Sequence, residues 1–167
     1  MIATKVTVRS GGQTGVDRAA LDAAIAAGLP YMGWCPKGGL AEDFAHPSGL
    51  LAVYPLLQET SSSDPSRRTE RNVRDSDATL ILVANDVAGG SGTDLTRRTA
   101  ERLGKPCLVV DVRDASALDR TRDWLRALVR GRASFDLNVA GPRESQSPGI
   151  YQAARKLLAQ ALDAICA

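Results

Sequence analysis

The stretch Lys5-Val6-Thr7-Val8-Arg9-Ser10-Gly11-Gly12-Gln13-Thr14-Gly15-Val16-Asp17-Arg18-Ala19-Ala20-Leu21-Asp22 decides the fold class. It opens as a strand-like run, passes through a glycine-rich turn and continues as an alanine-rich helical pattern to Ala27. Ala20, Leu21, Ala24 and Ile25 share one side of that helix, and Gly28 with Pro30 stops it. The same succession recurs downstream. The apolar run Ala78-Thr79-Leu80-Ile81-Leu82-Val83-Ala84 leads into Gly89-Gly90-Ser91-Gly92-Thr93 and a helix from about Thr93 to Leu103, closed by Gly104 and Pro106. A helix N-terminus leaves its first backbone N–H groups unpaired and carries partial positive charge. Glycines let that backbone approach an anion closely. Two such turns therefore predict an oxyanion- or phosphate-accepting crevice at the carboxyl edge of a sheet.

The remaining chain alternates in the same way. Tyr31 to Cys35 reads as a second strand, and 36–64 is the longest irregular region. Ser66 to Ser76 reads as a charged helix, and Cys107 to Val112 as a strand of the kind buried in parallel sheets. Ser116 with Asp119 resembles a capping box for a helix over 117–130, which Gly131 ends. Phe135 to Ala140 reads as the last strand. Ile150, Ala153, Ala154, Leu157, Leu158, Ala161, Leu162 and Ile165 follow the helical period, and their apolar face serves either a core or an interface. The alternation predicts one domain over residues 1–167, a Rossmann-like three-layer α/β/α sandwich with a mainly parallel sheet.

Composition narrows the function. The formal charge is only +2, and basic and acidic residues are intermixed, which argues against a nucleic-acid binder. Arg67, Arg68, Arg71 and Arg74 are interrupted by Glu70 and Asp75 and read as a solvated helix face. The three cysteines, Cys35, Cys107 and Cys166, lie far apart without a C-x-x-C pair, as expected of reduced thiols. No secretory h-region or membrane-length apolar run occurs, so the expected setting is soluble and cytoplasmic. His46 is the only histidine, which speaks against a zinc site and against a serine triad.

The polar residues at the turns are the binding candidates. In the first turn Gln13 and Thr14 stand beside Asp17 and Arg18, with Thr14 equally readable as a helix cap. The turn fits neither the dinucleotide fingerprint nor the P-loop pattern. A third turn, Asn138-Val139-Ala140-Gly141-Pro142-Arg143-Glu144-Ser145, also joins a strand to a helix. Arg143 reads either as a bidentate partner of an anion or as a surface arginine. In the irregular region Lys37 is a candidate phosphate contact, and Glu42 and Asp43 are candidate acceptors for the N–H groups of a heterocycle. Arg71 and Asp75 are spaced to brace each other along a helix, and Asp75 and Asp77 flank the following strand as candidate caps.

Several longer motifs carry a resemblance. They are 10–22, Gly33-Trp34-Cys35-Pro36-Lys37-Gly38, Thr69-Glu70-Arg71-Asn72-Val73-Arg74-Asp75-Ser76-Asp77-Ala78-Thr79-Leu80-Ile81, Gly104-Lys105-Pro106-Cys107-Leu108 and Asn138-Val139-Ala140-Gly141-Pro142-Arg143. Together, from about Val6 to Ala164, the chain resembles the molybdenum carrier (molybdenum cofactor carrier protein) family of the SLOG superfamily, with its lysine-decarboxylase-like Rossmann fold. The resemblance implies binding, storage or transfer of molybdenum cofactor, an anionic molybdopterin ligand, or of a molybdate-type oxyanion. It implies a homo-oligomer, dimer or tetramer, with molybdoenzymes as recipients and no residue ligating the metal. The implied binding residues are Gly11, Gly12, Gln13, Thr14, Gly15, Lys37, Asn72, Gly90, Ser91, Gly92, Thr93, Gly141 and Arg143. No catalytic residue is implied.

An alternative belongs to another class. Some SLOG relatives are nucleoside monophosphate phosphoribohydrolases, whose fingerprint resembles P-G-G-x-G-T followed by a catalytic glutamate. Here Ala88 stands in the proline position and Thr96 in that of the glutamate, with Asp94 nearby as a substitute acid. A nucleotide-ligand sensor would need the same pocket without the acid.

Overall fold

The computed structural model describes residues 4–85 and 91–166. Strand β1 (Lys5–Arg9) buries Val6 and Val8 on one face, the period-two pattern of a pleated strand. Helix α1 (Val16–Ala26) follows the first glycine turn. Strands β2 (Tyr31–Met32), β3 (Trp34–Cys35) and β4 (Gln58–Glu59) are short, and helix α2 (Leu50–Val53) lies between the last two. Helix α3 (Pro65–Arg74) leads into β5 (Ala78–Val83), α4 (Ser91–Arg102), β6 (Cys107–Asp111), α5 (Ala117–Val129), β7 (Ser134–Ala140) and α6 (Ile150–Cys166).

The main sheet has the order β2-β1-β7-β5-β6 with every pairing parallel, as the alternation predicts. The last strand in sequence occupies the middle. If β7 is counted first, the order becomes third–second–first–fourth–fifth, that of a doubly wound nucleotide-binding sheet. The chain is therefore a circular permutation of that topology, opened between α6 and β1. The point where the order reverses lies between β7 and β5, and it is outside the carboxyl ends of these strands that ligands bind in such sheets.

Helices α1, α5 and α6 cover one face. Their apolar residues join Val6, Val8, Leu80, Leu82, Val110, Phe135, Leu137 and Val139 in one core. Ile150, Ala154, Leu157, Leu158, Ala161 and Leu162 are buried there, so the periodic face of α6 serves the core. Helices α3 and α4 pack together against the opposite face. Among the described residues no helix is long and apolar enough to cross a membrane.

Three local expectations are corrected. Residues 31–35 form two strands in different sheets rather than one, because Gly33 turns the chain with a φ of 145°. A Cβ there would lie 2.0 Å from the Ser10 carbonyl oxygen. The irregular region contains β4, which pairs with β3 and frames a small core of Leu21, Cys35, Leu50, Tyr54 and Leu57. The capping box at α5 does not form. Ser116 already has helical backbone angles, and its N–H and hydroxyl both donate to Asp114 Oδ1, at 2.8 and 2.9 Å.

Candidate functional site

At the carboxyl edge, beside the point of strand reversal, lies a cavity of about 290 Å³. The first turn, the start of α3, the start of α4 and the turn after β7 all contribute to it, so the glycine turns do meet at one place. Gln13, Gly92, Thr93, Gly141 and Arg143 line it. Arg143 forms no ion pair among the described residues. Among the described residues, a Cβ built on Gly92 meets nothing within 4 Å. Ser91 opens α4, whereas Gly90 and its neighbour Gly89 lie outside the described residues.

The glycines of the first turn face protein. A Cβ on Gly11 would sit 1.8 Å from Arg68 Nη1. On Gly12 it would sit 3.0 Å from Leu50, and on Gly15 2.3 Å from the Pro142 carbonyl oxygen. Gly15 also has a φ of 78°, which L side chains rarely adopt. Close approach thus joins the first turn to α3 and to the turn after β7. Gly141 meets the same demand, its missing Cβ lying 2.3 Å from the Leu82 carbonyl oxygen.

An internal carboxylate uses part of the first turn's donor capacity. Asp17 is only 2% exposed and accepts from Arg68 Nη1 at 2.7 Å and from the Gln13 N–H. Burial pushes its pKa up, against the opposing pull of Arg68 and of that N–H. Arg68 and Asp17 both line the cavity, and Arg68 Nε is buried without a hydrogen-bond partner among the described residues. The interrupted charge pattern of α3 would put Arg68 on a solvated face. The signal that pairs it with Asp17 is the space above Gly11, which only tertiary structure reveals.

Glu42 and Asp43 brace the turns instead of facing the cavity. Glu42 accepts from the Thr14 hydroxyl and, at 2.6 Å, from the Ser145 hydroxyl. Burial is the largest single influence and raises its pKa, but the hydrogen bonds from Ser145 and Thr14 together outweigh it and hold the carboxyl below its ordinary value. Thr14 also accepts from the Glu144 N–H at 3.3 Å, so it ties two turns together and does not cap α1. Asp43 takes both terminal nitrogens of Arg18 at 2.9 Å. Gln13 Oε1 accepts from the N–H groups of Thr14 and Glu42.

Lys37 and Asn72 lie apart from the cavity lining. Lys37 is exposed on a single turn of 3-10 helix at Lys37–Gly39. Asn72 is buried, and its amide accepts from the Trp34 N–H at 2.8 Å and donates to the Trp34 carbonyl at 2.9 Å, fixing β3 against α3. The expected Arg71–Asp75 brace is replaced. Asp75 accepts from Arg74 and from the Trp34 indole N–H, and Arg71 stacks 4.6 Å above the Trp34 ring. Asp77 accepts from the Asp136 N–H at 2.8 Å and so pins β7 to the start of β5.

The start of α3 is already capped by Asp64, whose carboxylate accepts from the Ser66 N–H at 2.9 Å. The start of α4 and Arg143 are thus the parts of the cavity best suited to a bound anion. Thr96, standing where a hydrolase relative carries glutamate, is buried beside them and donates to the Gly92 carbonyl at 2.9 Å. Asp94 is held by Arg97 and Arg98. Among the described residues no group of three or more His, Cys, Asp or Glu side chains could hold a metal ion.

Comparison with known proteins agrees with the permuted topology. Residues 8–162 match the circularly permuted YpsA SLOG family. A crystal structure from Syntrophus aciditrophicus SB, named "Putative molybdenum carrier protein", is 42% identical, with 99% of this chain and 97% of that one covered and a TM-score of 0.79. No curated protein matches the chain. The strand order, the meeting of the glycine turns and the family match over most of the sequence lead to one assignment: the chain belongs to the circularly permuted YpsA family of SLOG proteins.

Proposed function

We infer that the protein binds, stores or transfers molybdenum cofactor, with a molybdate-type oxyanion as the simplest ligand of the same chemistry. The observation that carries this reading is the cavity itself, where the start of α4 at Gly92 lies beside the guanidinium of Arg143, which forms no ion pair among the described residues. Its volume of about 290 Å³ is near the lower end of small-molecule sites, about 300–1,000 Å³. The anionic end of the ligand would take the α4 N–H groups and Arg143, while Asp64 and the amides of Gln13 and Gln146 would meet the N–H groups and carbonyl of a pterin. The dithiolene of the cofactor holds its own metal, so the reading needs no metal–protein bond. The name carried by the Syntrophus structure supports a molybdenum-related ligand.

A homo-oligomer delivering the ligand to molybdoenzymes completes the proposal. The test is native mass spectrometry of protein from a molybdenum-replete host, with molybdenum and pterin measured on the same sample. Stoichiometric amounts of both are expected, lost in Gly92→Val and reduced in Arg143→Ala. Protein that stays free of both, when offered the cofactor in vitro, refutes the reading. One observation favours nucleotide hydrolysis as a second reading: Asp17 lies at the cavity with its pKa raised by burial. Release of base from nucleoside monophosphates, abolished in Asp17→Asn, would establish it.

A further inference from the structure

The motif around α3 is not used up by the carboxyl-edge cavity. Its other side opens onto a second, larger cavity of about 480 Å³, formed by the 60–62 turn, α3 and the C-terminal half of α4. Among the described residues the two cavities share none of their lining. Among the described residues, four arginines line the second one, Arg67, Arg71 and Arg74 from α3 and Arg102 from α4, with Glu70 as the only lining acid.

This arrangement differs from a solvated helix face. Arg67, Arg71 and Arg74 follow one another at helical spacing, where like charges destabilise each other. Arg67, Arg71 and Arg102 have no carboxylate partner among the described residues. Two of the guanidinium groups are held in place from behind. Arg71 rests on the Trp34 ring at 4.6 Å, and Arg74 is gripped by Asp75, which also accepts from the Trp34 indole at 2.8 Å. Trp34 in turn is clamped by the buried Asn72. A guanidinium stacked on a ring keeps its in-plane N–H donors free for an anion. The buried Thr99 adds a hydroxyl to the cavity lining.

We propose that this cavity is a second anion site, distinct from the carboxyl-edge pocket, which takes a small molecule carrying two or more linked phosphoryl groups. Guanidinium groups bind phosphoryl oxygens in bidentate pairs. The row from Arg67 to Arg74 extends about 10 Å along the helix at 1.5 Å per residue, more than one phosphate reaches. The proposal stands independently of the carrier reading.

The test is calorimetric titration of the intact protein with inorganic pyrophosphate at low ionic strength, with orthophosphate and ADP as comparison probes. The variants are Arg67→Ala/Arg102→Ala for this site and Arg143→Ala for the other. Arg67 and Arg102 are exposed, so the double variant should keep the wild-type circular dichroism and melting temperature. Saturable pyrophosphate binding is expected, weakened about tenfold or more in the double variant and unchanged in Arg143→Ala. ADP should follow the same pattern, since the linked phosphates are what is recognised. Three results would each overturn the proposal: no saturable binding by wild type, a loss confined to Arg143→Ala, or orthophosphate binding as tightly as pyrophosphate.

Discussion

Gly11→Ala tests the architecture of the first turn. The added Cβ would lie 1.8 Å from Arg68 Nη1 and 2.6 Å from its Cζ. Because those atoms end a flexible side chain, the steric conflict itself is cheap to relieve. The cost arises when Arg68 swings away and breaks its 2.7 Å pair with Asp17. An unpaired buried charge costs about 3–5 kcal/mol. Asp17 can escape part of that by taking up a proton, so the expected loss at neutral pH is about 2–3 kcal/mol, within the range of a charged hydrogen bond. For a chain of this size that lowers the melting temperature by about 4–12 °C. Urea unfolding measures it, and a double-mutant cycle isolates it. In an Arg68→Ala background Gly11→Ala should be nearly neutral, because the atom it displaces is gone. The sign of the pH dependence follows from Asp17. Losing Arg68 raises its folded-state pKa further above the ordinary 3.8, so the native variant binds more protons than the unfolded chain in the window above 3.8. Stability in that window falls as pH rises, and the deficit against wild type is larger at pH 7 than at pH 4. Additive losses in the cycle, or a deficit that grows toward pH 4, would refute the account.

Lys105 donates from Nζ to the carbonyls of Val73, at 3.2 Å, of Ser76, at 2.5 Å, and of Arg74, capping the end of α3 with a cation. Lys105→Met should cost about 1–2 kcal/mol, read as a lowered urea midpoint with an unchanged slope. Gly15→Ala and Gly92→Ala separate a protein-facing glycine from a cavity-facing one. The first should lose at least about 2 kcal/mol, from positive φ and contact with the Pro142 backbone, and the second should stay within about 0.5 kcal/mol of wild type. Equal stabilities in thermal melts would contradict that distinction. Cys35 is fully buried, and burial together with Glu59 pushes its thiol up to about 11. In a Cys107→Ser/Cys166→Ser background it should resist iodoacetamide at pH 8 until urea is added, whereas prompt labelling of native protein would show that it is accessible.

Where periodicity was strong, the sequence reading and the structure agree closely. The alternation of Val6 and Val8, the continuous apolar run of β5 and the helical spacing along α6 each reflect burial against one core, and burial is what writes a period into a sequence. Two-residue strands are too short to write one. The sequence therefore shows neither the break at Gly33 nor the pairing of β3 with β4, although Gly33 and Gly12 both mark close approaches. Charge pairing was less legible still. The i,i+4 rule joins Arg71 to Asp75, but a tryptophan from a distant segment separates them, the arginine taking the ring face and the aspartate the indole N–H.

The glycine turns show where local signatures stop. A glycine-rich strand-to-helix junction records that something must approach the backbone, not what approaches it. At Gly11, Gly12 and Gly15 the visitor is Arg68, a leucine and the Pro142 backbone, while at Gly92 none of the described residues comes within 4 Å of the missing Cβ. The permuted strand order accounts for this division of roles. With β7 in the middle of the sheet, the turn beginning at Gly141 occupies the place of the first phosphate-binding turn in an unpermuted doubly wound sheet, and α4 begins just across the reversal from it. The turn after β1 lies one strand farther from the reversal, and its glycines serve to lock α1 against its neighbours. That turn comes first in sequence, but the sheet gives the positions at the crevice to Gly92 and Arg143.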